Sequence, residues 1–540
     1  MAINPPDAFG RRRLLALAST RRRFLTTGGA AGAVALSTAL LGITASQPAR
    51  SAPPRLPDYP FRLGIASGDP LPDSVVIWTR LVTDPFASFG GMDYRQFPVQ
   101  WQVATDERFR KVVRAGAVMA KPESAHAVHV DVRGLRPWRE YFYRFRVGSY
   151  VSPVGRTKTA PPPGAALNGM VFAFASCQSW TSGYYTAYAD MASRHHDVVV
   201  HLGDYIYEYG ARPEVARQSP LPPHLMYPGL SETVTLDQYR DQYALFKADP
   251  DLQAAHAAAP WIVTIDDHEV ENDWAGQVSE HDDPWEEVFL VRRANAFRAH
   301  WEHMPVRRPM MPNGPDMQIY RRYSYGDLAE FNILDTRQYR SPRVAQDDPA
   351  WQDPSRTILG AEQEAWLLGG LANTTRRWKI IAQQNTMSRL DSLAGAGERY
   401  GTDRWDGYPA SRDRILAGAY ARGVRNLVSI GGDVHRSIVS DLKLDFDDAS
   451  SPTVGMEFGG TSIASGGDGV DIDTAGLTTL AENPHVKFVN VQRGYQRCTL
   501  THDRWETDYR VVDFITRPGG TTTTRTRLVT QDGVPGVEVA

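Results

Sequence analysis

Four apolar runs in this 540-residue chain each end in a side chain able to bind a metal ion. The run VFAFAS stops at Cys177, VVVHLG at Asp204, WIVTI at Asp266-Asp267-His268-Glu269, and LVSIGG at Asp433-Val434-His435. In layered α/β proteins ligands bind at the carboxyl ends of strands, where loops aim side chains into one crevice. A lone Gly-Asp after a strand is usually a turn or a helix cap. Four strand ends carrying a thiol, carboxylates and an imidazole point instead to a shared site. Acids gathered without counter-charge repel one another, and multivalent cations remove that cost. Tyr207 follows Asp204 by three residues, so one turn brings both to the same ion. A phenol of pKa near 10 needs a strong Lewis acid to ionise at neutral pH, and ferric iron (Fe3+) suits it. The oxygen donors Asp267, Asn272 and Asp433 better suit a hard divalent ion such as calcium (Ca2+). Cys177 is either a further ligand, a buried thiol, or half of a disulfide with Cys498.

Two ions bridged by one carboxylate form a hydrolytic arrangement. They activate water as hydroxide and offset the charge of a phosphoryl group during in-line displacement. His268, beside Asp267, is a candidate to protonate the leaving group, or is simply bonded to the acids around it. Arg337, after the run FNILDT, is a candidate phosphate contact or the partner of a neighbouring acid.

The elements that position these residues are of two kinds. From about Phe61 to Thr159 short alternating segments such as Tyr141-Phe-Tyr-Arg-Phe-Arg-Val147 read as strands between turns, a small β-sandwich of fibronectin type III character. After the linker Ala160-Pro-Pro-Pro-Gly-Ala-Ala166, apolar runs alternate with helical stretches, which predicts an α/β layered core. The expected division is 1–52 for a signal peptide and short linker, 56–160 for the β-sandwich and 165–540 for the catalytic domain. The first segment carries Thr20-Arg-Arg-Arg-Phe-Leu, an apolar stretch Gly28–Ile43, and then small residues and prolines. This is the pattern of a twin-arginine (Tat) export signal. The stretch is shorter and more polar than the roughly 20 apolar residues of a membrane span, so no permanent anchor is expected. The predicted location is periplasmic or extracellular.

The 59 Lys and Arg against 62 Asp and Glu leave a net charge of -3, which argues against a nucleic-acid partner. Two cysteines give no disulfide framework.

The segments SCQSW, HLGDYIYEYG, DDHEVENDWAG, LDTRQYR, RWDGYPASRDRIL, GGDVHRS and FGGTSIASGG resemble the alkaline phosphatase D (PhoD-like) family. The resemblance implies a metallophosphatase-like layered β-sandwich flanked by helices, related to purple acid phosphatases, behind an N-terminal fibronectin III-like sandwich. It also implies one ferric ion, calcium, and hydrolysis of phosphate monoesters, diesters or phospholipids. On that resemblance Cys177, Asp204, Tyr207 and His435 would hold iron. Asp204 would bridge to calcium, held by Asp433 and by Asp267 or Asn272. Asp267 stands where the usual metallophosphatase motif has asparagine. No clear counterpart exists for a second histidine; Gln384 and Asn385 occupy that region. The alternatives are a dedicated phospholipase D-type diesterase and, in another class, a non-catalytic cell-surface binding protein.

Overall fold

The computed structural model describes residues 56–210, 217, 232–280 and 286–539. The export-signal segment lies outside the described residues. Residues Arg55–Ala540 form one compact unit.

Two sheets face each other at its centre. The ten-stranded sheet places Met170–Ala175, Val198–His201 and Pro260–Val263 side by side and parallel. The seven-stranded sheet does the same with Ala329–Ile333, Trp378–Ala382, Leu427–Gly431 and Thr453–Gly459. Both faces of these strands are buried, so their sequences read as continuous apolar runs. The two-residue period still decides which side chain faces which layer. Phe172, Phe174, Val198 and Val200 pack between the sheets with Phe331, Ile380, Ile430 and Trp505. Ala173, Ala175 and Val199 turn outward, against Tyr188, Tyr243, Leu252 and Phe297 of the helices Thr186–Ala192, Leu236–Lys247, Pro250–Ala258 and Glu286–His303. The other sheet is covered by Gly360–Asn373 and Pro409–Ala421. The fold is therefore the expected β-sandwich flanked by helices. Local signals agree with it: Thr235 and Gln238 make a reciprocal capping box at the start of Leu236–Lys247.

The N-terminal strands do form a sandwich, but one of its layers is shared. Phe97–Ala104, Val112–Ala120, Glu140–Val147, Tyr150–Val151 and Gly155–Lys158 make a separate sheet. Ile65–Leu71, Ser74–Arg80 and Ala127–Arg133 instead extend the ten-stranded sheet, Ile65–Leu71 pairing in parallel with Pro260–Val263. Val99, Val103, Tyr143 and Phe145 fill the gap between these layers with Ile65, Val75, Ile77 and Val128. Alternation alone does not reveal such sharing, because a strand buried against a neighbouring domain and one buried against its own read alike.

Candidate metal centre

Each strand named at the outset delivers its chemistry within a few residues of its carboxyl end, through a sharp turn. Cys177, Asp204, Asp433 and His435 all have positive φ (59°, 55°, 68° and 54°), as does Asp273 (54°). Left-handed backbone costs a non-glycine residue on the order of 1–3 kcal/mol, and such residues gather at functional sites. Two glycines let the turns approach. A Cβ on Gly203 (φ 112°) would lie 2.5 Å from the Asp266 side chain, and one on Gly432 would run into Ser176. The first contact brings Asp204 beside Asp266 and Asp267. The second brings Asp433 and His435 towards Cys177.

The result is a graded set of donors. Ligand atoms of Cys177, Asp204 and His435 lie within 4.8 Å of one another. The Tyr207 hydroxyl joins them, 3.2 Å from His435 Nε2 and 3.5 Å from Asp204 Oδ2. Asp204 also belongs to a carboxylate group with Asp266, Asp267 and Asp433. One residue thus connects a mixed sulfur, nitrogen and phenol pocket to an all-oxygen one. Asp204 Oδ1 is buried and lacks a hydrogen-bond donor, which in a protein interior calls for a bound cation; Asp267 Oδ1, equally without a hydrogen bond, has only the Arg337 guanidinium at 3.4 Å. The donor chemistry fits metal ions of two kinds. Asn272 stands at the edge, its amide donating to Glu280 (2.7 Å) and its backbone N–H to Glu208 (2.8 Å).

Electrostatics follow from crowding. Burial pushes the carboxyls of Asp204 and Asp433 well up. It raises Asp266 to about 6 and Glu269 to about 7, with neighbouring acids adding to it. Burial also raises the Cys177 thiol and the Tyr207 phenol, and Asp204 adds to both. Against burial, Arg337 and His268 draw Asp267 down. Burial, with Arg493 nearby, lowers His435 to about 3, leaving a neutral imidazole free to bind metal. His268 is the exception: despite burial, Glu208, Asp267 and Asp204 raise it, favouring imidazolium. Its Nδ1 lies 2.8 Å from Glu208 Oε2, and its ring stacks on Tyr207 at 4.2 Å.

Arg337 is fully buried. Its guanidinium is committed to Asp266 (2.5 Å), Asp403 (2.9 Å) and Asp267 (3.4 Å), so it holds acids in place, as the alternative reading had it. Cys177 and Cys498 are both free thiols, which removes the disulfide. Gln384 is consumed by structure, bonding Thr264, Ile265, Leu334 and Thr336. Asn385 is fully buried with neither amide atom partnered.

Several supporting residues went unassigned at sequence level. Glu269 accepts the backbone N–H groups of Asp204 (3.1 Å), Tyr205 (2.6 Å) and Asp266 (2.7 Å), locking two ligand turns together. Ser465 bonds the Tyr207 hydroxyl (2.8 Å) and the Cys177 carbonyl (3.0 Å). Arg493 donates to the His435 carbonyl. Asp273 and Asp403 approach Asp267 to within 4.8 Å. Asp266, Glu208, Glu269 and Ser465 lie inside the motif segments quoted above; only their partners were invisible.

The sequence profile of the PhoD-like phosphatase family matches residues 172–509, and that of its N-terminal domain matches residues 45–161. Alkaline phosphatase D of Bacillus subtilis (strain 168) is 47% identical over 526 residues, covering 96% of this chain and 88% of that protein. A solved structure of PhoD superposes with a TM-score of 0.86 at 48% identity, covering 90% of this chain and 93% of the other.

Proposed function

The chain belongs to the PhoD-like phosphatase family and is a metal-dependent phosphate-ester hydrolase of the alkaline phosphatase and phosphodiesterase type; from that premise we propose its ligand set, mechanism and location. Cys177, Asp204, Tyr207 and His435 hold a ferric ion. Asp204, Asp267 and Asp433 hold calcium beside it, with Asn272 at the margin. The observation that carries this reading is the position of Asp204, the one acid shared by the thiol-containing and the all-carboxylate groups. When bound, the ions supply Lewis acidity and a hydroxide at working pH.

The protein's own groups do the rest. Glu269 and Arg337 fix the turns bearing Asp204, Asp266 and Asp267. His268, held as imidazolium by Glu208, keeps Nδ1 on that acid and offers Nε2 to protonate the leaving oxygen. Attack on phosphorus is direct, with no phosphoserine intermediate. One turnover on an ester chiral at phosphorus inverts its configuration; retention contradicts direct transfer.

Three measurements test the ligand set. Elemental analysis of the folded protein finds iron and calcium. The protein is tinted by ferric thiolate and phenolate bonds, and Cys177→Ser and Tyr207→Phe each bleach or shift the band. Chelation of calcium abolishes turnover and leaves the tint. If neither substitution alters the spectrum, the iron assignment is wrong. Comparing p-nitrophenyl phosphate, its bis ester and phosphatidylcholine vesicles separates a general phosphatase from a dedicated diesterase.

We also place the enzyme outside the cytoplasm, on the twin-arginine segment Arg21-Arg22-Arg23-Phe24-Leu25. Among the described residues no helix is long and apolar enough to cross a membrane. Replacing Arg21 and Arg22 together by lysine leaves the protein in the cytoplasm; undiminished export of that variant refutes the route.

A further inference from the structure

The metal centre sits at the carboxyl ends of the parallel strands, and a second charged concavity lies at their amino ends. Arg376 and Arg377 immediately precede the strand Trp378–Ala382, and Arg425 and Asn426 precede Leu427–Gly431. Asp327 precedes Ala329–Ile333, while His502 and Asp532 come from the ends of strands in the opposing sheet. Together with Lys379 these residues line an open pocket of about 300 Å³. Five-residue strands rising about 3.3 Å per residue separate it from the metals by roughly 16 Å.

Its walls are stiff and its charge is unbalanced. Asn426, in left-handed backbone (φ 55°), donates to the Arg377 carbonyl (3.1 Å) and Asp532 (2.6 Å) and accepts from the Gly533 N–H (2.8 Å). The two acids are used within the wall: Asp532 binds Arg377 (2.8 Å) and Asp327 binds His502 (3.1 Å). Three cations remain. Arg376 has its Nε buried with no partner and only Thr375 at Nη1 (3.1 Å). Lys379 reaches one carbonyl, that of Arg377, at 3.4 Å. Arg425 is exposed with no acceptor among the described residues. Burial lowers the Lys379 ammonium, with Arg377 and Arg425 adding to it and Asp532 and Glu330 working against it. Surface cations normally spread out; three held at the mouth of one pocket are stabilised by an anion that accepts from all of them.

We propose that this pocket binds a small multivalent oxyanion, of which orthophosphate is the type, through Arg376, Lys379 and Arg425, at a site separate from the metal centre. For an enzyme releasing orthophosphate such a site senses product without competing for the metals.

Calorimetric titration of the metal-loaded protein with orthophosphate at low salt tests this. The wild-type protein shows two classes of site. The combined variant Arg376→Gln, Lys379→Gln, Arg425→Gln loses one class and keeps its turnover in phosphate-free buffer. Asp433→Asn damages the metal centre and keeps the remote class, so failure of the catalytic assignment and failure of this one are distinguishable. Arg425→Gln alone, at an exposed and unbonded side chain, weakens the remote class about tenfold. A single class in the wild-type protein, or full affinity in Arg425→Gln, overturns the proposal.

Discussion

Glu302 and Asp204 are both acids withdrawn from water, and the protein treats them differently. Glu302, fully buried on the long helix, is gripped by Arg240 (2.7 and 2.8 Å) and by Arg298 (2.7 Å). Nearby, Arg292 pairs with Glu271 and with Glu232 (2.9 Å). These buried acids meet cations supplied by the chain. Asp204 meets Asp266, Asp267 and Asp433; Arg337 is on the Asp266 and Asp267 side, and His268 is the one cationic side chain that eases Asp204 itself. The two regions differ in how much counter-charge the chain supplies. In the helical layer these acids are matched by arginines, whereas at the metal centre four acids share one arginine and one imidazolium, fewer cations than acids.

The largest expected effect tests that asymmetry at its centre. Asp204→Asn lowers turnover by on the order of 10³-fold or more, since it strips both groups of their shared anion. In metal-free protein the same change is stabilising, because it removes one of four mutually repelling carboxylates. A melting curve with and without metal reads both signs; destabilisation of the metal-free form breaks the comparison. Glu302→Gln behaves oppositely. It leaves metal content intact and costs about 3–5 kcal/mol of folding stability, the usual penalty for breaking a buried ion pair, measured by denaturant titration.

His268→Gln comes next. Removing a general acid lowers kcat by about 10²-fold or more, with KM and metal content little changed. The loss is smaller for esters with good leaving groups such as p-nitrophenol. Equal losses on all leaving groups would remove the acid role and leave His268 as a structural partner of Glu208.

The smallest effect is a slope. Asp266 and Glu269 sit at about 6 and about 7 in the metal-free fold, above the ordinary carboxylate range. The folded state therefore binds protons more tightly than the unfolded chain, and stability falls as pH rises between about 4 and 7. Metal-free protein melts at progressively lower temperature across that window. Metal loading flattens the trend; a flat profile without metal contradicts it.

Much of the centre was legible because the strands announce themselves. VFAFAS, VVVHLG and LVSIGG are too short and too apolar to be anything but buried strands in a βα alternation, and the first polar residue after each lies where ligands bind. Cys177, Asp204, Tyr207 and His435 were found that way, and the structure brings them together. Arg337 shows where that reasoning stops. Its place after a strand is the same as theirs, yet it serves acids from two other segments, and no spacing along the chain reveals a partner 66 or 71 residues away. Glu269 and Ser465 were missed for the same reason, since their value lies in whom they bond.

The sequence by itself determined the element types, the strand-end donors and the family, because periodicity and motif spacing are local properties written within a few residues. Only the tertiary structure decided that Asp204 is common to two donor groups and that the N-terminal sandwich shares its inner sheet with the catalytic core. It alone gathered three cations from the starts of two strands into one pocket. Those are facts of long-range packing: two glycine turns must meet, and sheets must close on each other, before any pair of distant residues acquires a distance.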